Sequence, residues 1–250
     1  MSQTRKIALV TGAGSGIGQA VAKALYQEDW CLILAGRRRE TLAETAKNFE
    51  KNRTLIIPTD ISNREEVQHL FHQTMEFFGR LDLLFNNAGV NAAPKPLEEL
   101  ELKEWQNVMD INLTGAFLCT QEAFKIMKKQ QPMGGRIINN GSISANIPRP
   151  QAAPYTASKH GITGLTKASS LEGREFNIAC GQIDIGNASS AMTRKIEEGA
   201  LQADGSRMIE ATMKVEDVGR AVAFMASLPL DTNIPTLTIM ANQMPYAGRG

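Results

Sequence analysis

Ser142, Tyr155 and Lys159 stand in the pattern S-x12-Y-x3-K. Placed four apart on a helix, Tyr155 and Lys159 share one face. A free phenol ionises near pH ~10, too high for a base at neutral pH. Lowering that value by about three units takes about 4 kcal/mol of preferential stabilisation of the phenolate. A cation about 4 Å away supplies roughly that much at an effective dielectric near 20. The pair could therefore exchange a proton with an oxygen of a bound molecule. Ser142 can donate a hydrogen bond to the same oxygen as it gains charge. A helical Tyr–Lys pair alone is more often a solvated contact, so its surroundings decide.

The second chemical feature is a glycine loop, Val10-Thr11-Gly12-Ala13-Gly14-Ser15-Gly16-Ile17-Gly18. It follows an apolar run and opens an amphipathic stretch. Glycine serves where backbone must approach a ligand closely or adopt positive φ. A helix N-terminus adds unpaired N–H groups and a dipole that favours phosphate. The spacing is G-x-x-x-G-x-G rather than the common dinucleotide fingerprint G-x-G-x-x-G. The candidate phosphate-side contacts are Gly12, Ser15, Gly16, Ile17 and Gly18.

The end of the second strand discriminates between nicotinamide cofactors. An acidic residue there binds a free ribose 2′-hydroxyl. Here the chain reads Ala35-Gly36-Arg37-Arg38-Arg39. Arginine pairs bidentately with a 2′-phosphate, which an acid would repel. The expected cofactor is NADP(H), with NAD(H) the alternative; Arg37 is the first candidate for the phosphate and Arg38 the second. With that cofactor, hydride would go to a carbonyl carbon while Tyr155 gives a proton to its oxygen, or the reverse.

These residues need a scaffold. Short apolar runs at 6–11, 31–36, 54–58, 81–86, 135–140, 177–183 and 236–241 alternate with amphipathic stretches, the form of repeated βαβ units. Continuous apolar character predicts strands covered on both faces. Helices are expected over 16–28, from a Ser62/Glu65 capping box to about 77, over about 101–130, 154–173 and 215–227. The prediction is an α/β, doubly wound, three-layer Rossmann fold, forming one domain over 1–250. The polar segment 186–213 would be its lid. Ser142 then falls just past the fifth strand, at the sheet edge where such folds bind ligands.

Composition excludes other classes. With 27 basic and 26 acidic residues, a net charge of +1 gives no field for nucleic acid or membrane. The N-terminal segment lacks a signal-peptide core, and no window suits a membrane span. A cytoplasmic location is expected. Three widely spaced cysteines, Cys31, Cys119 and Cys180, read as small buried hydrophobes. His69 and His72, three apart, find no third ligand nearby, so no metal is expected. His160 reads as structural. Lys125, Lys128 and Lys129 could suit an acidic partner but also favour a helix C-terminus. Met192, Met208 and Met213 could line an apolar pocket or pack in the lid.

Taken together, these motifs resemble the short-chain dehydrogenase/reductase family over almost the whole chain. The resemblance implies a seven-stranded parallel sheet in the order 3-2-1-4-5-6-7. It implies that Asp60, beside Ile61, contacts adenine. Asn86-Asn87-Ala88-Gly89 would brace the sheet beside the cofactor. Asn112 would hold a relay water behind Lys159 and complete a set with Ser142, Tyr155 and Lys159. Lys159 would also hold the nicotinamide ribose. Gly186, Ala188 and Ser190 would lie near the nicotinamide. The partner implied is a small carbonyl or alcohol substrate, and the state a homo-oligomer joined through helices at about 105–130 and 155–174. Val215-Glu216-Asp217-Val218 resembles the start of the family's last long helix. The chain departs from the family in Ile185-Gly186 where Pro-Gly is usual, in Ser190 where threonine is usual, and in its tail. A non-catalytic NADPH-binding regulator or scaffold of the same fold is the competing reading, against which the full Asn112, Ser142, Tyr155 and Lys159 set argues.

Overall fold

The computed structural model describes residues 5–190 and 199–246. Seven parallel strands form the sheet: β1 (Ile7–Thr11), β2 (Cys31–Gly36), β3 (Thr54–Pro58), β4 (Leu83–Asn86), β5 (Gly135–Asn140), β6 (Ile178–Ile185) and β9 (Thr236–Ile239). Their order is β3-β2-β1-β4-β5-β6-β9. This is the predicted order, with β9 in seventh place. Two short strands, β7 (Ala200–Leu201) and β8 (Arg207–Met208), pair antiparallel apart from that sheet. They lie in the segment expected as a lid, where the sequence showed no strand signal.

The alternation of side chains along each strand divides the interior in two. Ala8 and Val10 of β1 face one side, with Val21 and Leu25 of α1 (Gly16–Gln27), Leu42 of α2 (Arg39–Thr45) and Val222 of α7 (Val215–Ser227). Ile7 and Leu9 face the other, with Leu70 of α3 (Arg64–Phe78) and Cys119 and Met127 of α5 (Gly115–Met127). Neither face of β1 meets water, which is why its sequence is continuously apolar. The three cysteines are buried and free. His69 and His72 are exposed on α3.

Three local expectations are corrected. The single helix over 101–130 is α4 (Leu102–Met109), a π-helical turn (Asp110–Thr114) and α5. The π turn carries Asn112, whose side chain is tied to the backbone of Val90. The cap of α3 is Asn63, which accepts from the amides of Glu65 and Glu66. Ser62 is drawn away, donating its hydroxyl to Asp60 Oδ1 at 2.7 Å. A capping box does form at α4, between Glu101 and Glu104. Strand ends also differ: β4 starts at Leu83, β6 continues to Ile185 and β9 stops at Ile239. The remaining long helix, α6 (Ala153–Gly173), carries Pro154 in its first turn and packs on β6. Among the described residues, no helix is long and apolar enough to cross a membrane.

Candidate active site

The carboxyl ends of the central strands open onto a cleft of about 300 Å³. Gly12 and Gly16 hold φ of 65° and 53°, which side-chain-bearing residues rarely adopt. A Cβ on Gly12 would come within 2.9 Å of Ala88 Cα. On Gly18 it would overlap the Gly12 carbonyl, so α1 starts pressed against the loop that precedes it. Ser15 occupies the N-cap of α1, makes no side-chain capping bond, and the first turn has no acidic residue. The start of α1 is thus an uncompensated positive dipole end, with Ser15 and Ile17 in the cleft wall.

At the distal end, Gly36, Arg37, Arg38, Asp60 and Ile61 line the cleft. Arg37 and Arg38 are exposed, and neither enters an ion pair among the described residues. A Cβ on Gly36 would sit 3.4 Å from Leu42 Cδ2, a tolerable contact.

In the centre, the Thr11 hydroxyl accepts from the amides of Asn87 (2.9 Å) and Ala88 (3.1 Å), and Asn87 Nδ2 donates to the Thr11 carbonyl. Asn86 Nδ2 donates to Asn139 Oδ1 at 2.9 Å, and Asn139 Nδ2 to Thr166 Oγ1 at 2.9 Å. This buried ladder joins β4, β5 and α6 and gives both amide nitrogens the partners without which they would be costly to bury.

Tyr155 and Lys159 lie one turn apart on α6 and both enter the cleft. Lys159 Nζ sits 5.5 Å from the Tyr155 ring centre and donates to the Asn140 carbonyl at 2.7 Å. Asn140 in turn donates to Asn87 Oδ1. Burial pushes the Lys159 ammonium down to about 8, with the charge of Asp184 pulling the other way. Burial also raises the Tyr155 phenol, while a hydrogen bond with Ser142 pulls it down. Within the protein itself burial is the larger influence on the phenol and the Ser142 hydrogen bond the smaller. Ser142 opens the 3-10 turn Ile143–Ala145 after β5, and its hydroxyl accepts from the Ser144 amide at 3.1 Å.

Asn112 does not reach Lys159 with its side chain. Its Nδ2 donates to the Val90 carbonyl (3.0 Å) and Ser158 Oγ (3.1 Å), and its Oδ1 accepts from the Val90 amide (2.8 Å). Ser158 donates on to the Tyr155 carbonyl at 2.8 Å. Asn112 therefore couples the turn after β4 to the helical turn bearing Tyr155.

The near wall follows β6. Gly186, Ala188 and Ser190 line the cleft. A Cβ on Gly186 would lie 2.7 Å from both Met240 Cβ and Met244 Sδ. Glycine at 186 thus leaves room for the tail residues Met240 and Met244 against the end of β6. Ala188 bridges in parallel to Met213, joining the two ends of the expected lid. The buried Glu210 holds that junction. It accepts from Arg149 at 2.8 and 2.5 Å, from Asn187 at 2.8 Å and from Gln202 at 3.0 Å. Burial opposes its charge, but these bonds prevail and hold its carboxyl down to about 2. Met192 and residues 191–198 of the expected lid lie outside the described residues. Met208 is exposed, and Met213 packs against the core.

Of the residues singled out in the sequence, Gly12, Ser15, Ile17, Arg37, Arg38, Asp60, Ile61, Asn87, Ala88, Gly89, Tyr155, Lys159, Gly186, Ala188 and Ser190 line one cleft. Gly16, Gly18, Asn112 and Ser142 are not in its wall. The glycines shape the loop, and Asn112 and Ser142 act on cleft residues through hydrogen bonds. Sequence reasoning passed over Asn140, Gly141 and Asp184, and the Arg149–Glu210 pair. Asn140 and Gly141 adjoin Ser142, a signal that could have found them. Arg149 and Glu210 are far apart in sequence, with no spacing to connect them.

A family model for short chain dehydrogenase matches residues 6–201. A 3beta-hydroxysteroid dehydrogenase from Mediterraneibacter gnavus is 38% identical over 192 residues, 76% of this chain and 68% of the relative. The short chain dehydrogenase/reductase astE of Aspergillus oryzae is 35% identical, over 89% of this chain and 88% of its own. A solved serine dehydrogenase complexed with NADP+ superposes with a TM-score of 0.86 at 25% identity, covering 98% of each chain. The chain belongs to the short-chain dehydrogenase family.

Proposed function

We propose that this protein is an NADP(H)-dependent oxidoreductase that interconverts a ketone and a secondary alcohol, with Tyr155 as the proton-transferring group. The observation that carries the reading is the joint presence of Tyr155 and Lys159 in the cleft headed by the uncapped start of α1. The residues present suit a dinucleotide: a glycine cradle that any Cβ would fill, a helix dipole for the pyrophosphate, and two arginines without carboxylate partners at the distal end. Gly12, Ser15 and Ile17 would hold the pyrophosphate, Arg37 and Arg38 a 2′-phosphate, and Asp60 and Ile61 the adenine. Lys159 would hold the nicotinamide ribose, and Gly186, Ala188 and Ser190 the nicotinamide. Relatives of known structure support a nicotinamide cofactor without distinguishing its form; NADP+ is bound to the serine dehydrogenase.

A reduced nicotinamide, when bound, supplies hydride to the carbonyl carbon. Tyr155 gives its proton to the oxygen that becomes a hydroxyl, and Ser142 donates a hydrogen bond to that oxygen as charge builds. A phenol raised by burial is protonated at neutral pH, as a proton donor must be. Lys159 near 8 is placed to return a proton to the phenolate. Asn112, through Ser158, keeps the Tyr155 turn of the helix in position. The described ends of the segment 186–213, joined by the Ala188–Met213 bridge and held by Glu210, would flank the substrate within a single domain. Copies of the chain join through α5 and α6, which leave Phe117 and Leu171 exposed.

The test is NADPH oxidation, followed by absorbance, against 3-oxoacyl thioesters, steroid ketones and small ketones. Turnover with one of these classes is expected. Tight NADPH binding with no consumption across the whole panel would instead favour a non-catalytic sensor of the same fold.

A further inference from the structure

Lys159 is 5% exposed, and its ammonium has three N–H donors to place. Among the described residues one acceptor holds it by a hydrogen bond, the Asn140 carbonyl, 2.7 Å away. Whatever fixes that carbonyl therefore fixes Nζ. The peptide joining Asn140 to Gly141 is anchored on one side by β6, where the Gly141 amide donates to the Ile183 carbonyl at 2.9 Å. On the other side the ladder between β4 and β5 has run out, since its last pair is Asn86 with Asn139. The Asn140 side chain takes over at that point, its Nδ2 donating to Asn87 Oδ1 at 2.9 Å. Asn87 is itself oriented by its surroundings. Its Nδ2 donates to the Thr11 carbonyl at 2.9 Å and lies where a Cβ on Gly18 would come within 2.5 Å. Its main-chain amide donates to the Thr11 hydroxyl. A chain of hydrogen bonds thus runs from the end of β1, where the glycine loop begins, through Asn87 and Asn140 to the Lys159 ammonium.

We propose that Asn140 is a positioning residue: its side-chain amide pins the end of β5 to Asn87, so that its own carbonyl keeps the Lys159 ammonium in register with the glycine loop. Without that amide, Asn87 Oδ1 loses its donor, and the last residue of β5 is held from the β6 side alone. The carbonyl can then tilt, and a charge-assisted hydrogen bond weakens steeply as its angle and distance depart from the optimum. The effect on turnover rests on the roles given above to Tyr155 and Lys159; the link itself does not.

The test is 15N NMR of the lysine ammonium groups in the whole protein without cofactor, at pH ~6, where Lys159 is charged. The Lys159 signal is assigned by its loss in Lys159→Met. In Asn140→Ala the exchange of its protons with water should quicken by about tenfold, the factor that one lost hydrogen bond is worth. Asn87→Ala should do the same, and the double variant should add little further, because both changes break one link. In turnover, kcat for carbonyl reduction should fall by about tenfold in Asn140→Ala while the ketone KM stays within about threefold. A scaffold defect would instead lower Tm and leave both the Lys159 exchange and kcat unchanged below the transition. An unchanged Lys159 exchange rate in folded Asn140→Ala would overturn the proposal, as would full additivity of the two single changes. Should Asn140→Ala fail to fold, Asn140→Val suits a strand and also lacks the amide, and an unchanged rate there overturns the proposal equally. Absence of any turnover in the unaltered protein would sink the reductase reading instead, while the exchange rates still decide whether Asn140 holds Lys159.

Discussion

Replacing Glu210 by glutamine isolates the junction that holds the two ends of the 186–213 segment beside the cleft. The side chain keeps its shape but loses the charge that Arg149 grips with two nitrogens, 2.8 and 2.5 Å from the carboxylate oxygens. In the folded protein that carboxyl is held at about 2, against an ordinary value of 4.5. At about 1.4 kcal/mol per pH unit, the difference corresponds to about 3 kcal/mol. Glu210 is 3% exposed, so solvent screening takes little from this figure. The sign follows from the lowered value. The contribution is complete above the unfolded-state value and disappears as pH falls toward that of the folded state. Glu210→Gln should therefore lower stability by about 3 kcal/mol at pH ~7, or roughly 6–12 °C in Tm for a chain of this size. The gap from the unaltered protein should close progressively between about pH 5 and pH 2. Calorimetry across that range measures it, and hydrogen exchange over residues 200–208 should show the hairpin opening first. A loss below about 1 kcal/mol, or one independent of pH, would mean that the pair is a minor surface contact.

Two further outcomes concern the cleft. Gly36→Asp with Arg37→Ile places an acid where a Cβ fits 3.4 Å from Leu42 and removes the leading phosphate partner. One charge-assisted pair is worth about 1.5–3 kcal/mol, so the NADPH-to-NADH ratio of kcat/KM should fall by about 10- to 100-fold; an unchanged ratio would dismiss the 2′-phosphate assignment. In the unaltered protein, kcat/KM for carbonyl reduction should decline above about pH 8, where Lys159 gives up its charge; a profile flat to pH ~10 would show that the ammonium is not needed.

The architecture was legible because hydrophobic period and glycine placement are local signals. β1 reads as continuously apolar since both its faces are covered, and Gly12 and Gly16 stand where φ is positive. Tyr155 and Lys159 were legible because one helical turn joins them. What the sequence hid depends on contacts between distant segments. The π turn at Asp110–Thr114 cannot be told from the helix on either side by its apolar period. Ser62 looks like a cap until Asp60 is found competing for it. Arg149 and Glu210 are separated by 61 positions, and only the folded chain makes them partners. The burial that raises the Tyr155 phenol was hidden for a related reason. Pairing with a cation can be read from spacing, whereas the opposing cost of burial requires knowing what surrounds the ring.

Tyr155→Phe removes the proton and leaves the ring. Stopped-flow NADPH oxidation with the best ketone of the panel, beside NADPH binding by fluorescence, separates chemistry from cofactor affinity. The rate should fall by about 10²- to 10⁴-fold while Kd stays within about threefold. A rate equal to that of the unaltered protein would contradict the assignment of proton transfer to this phenol.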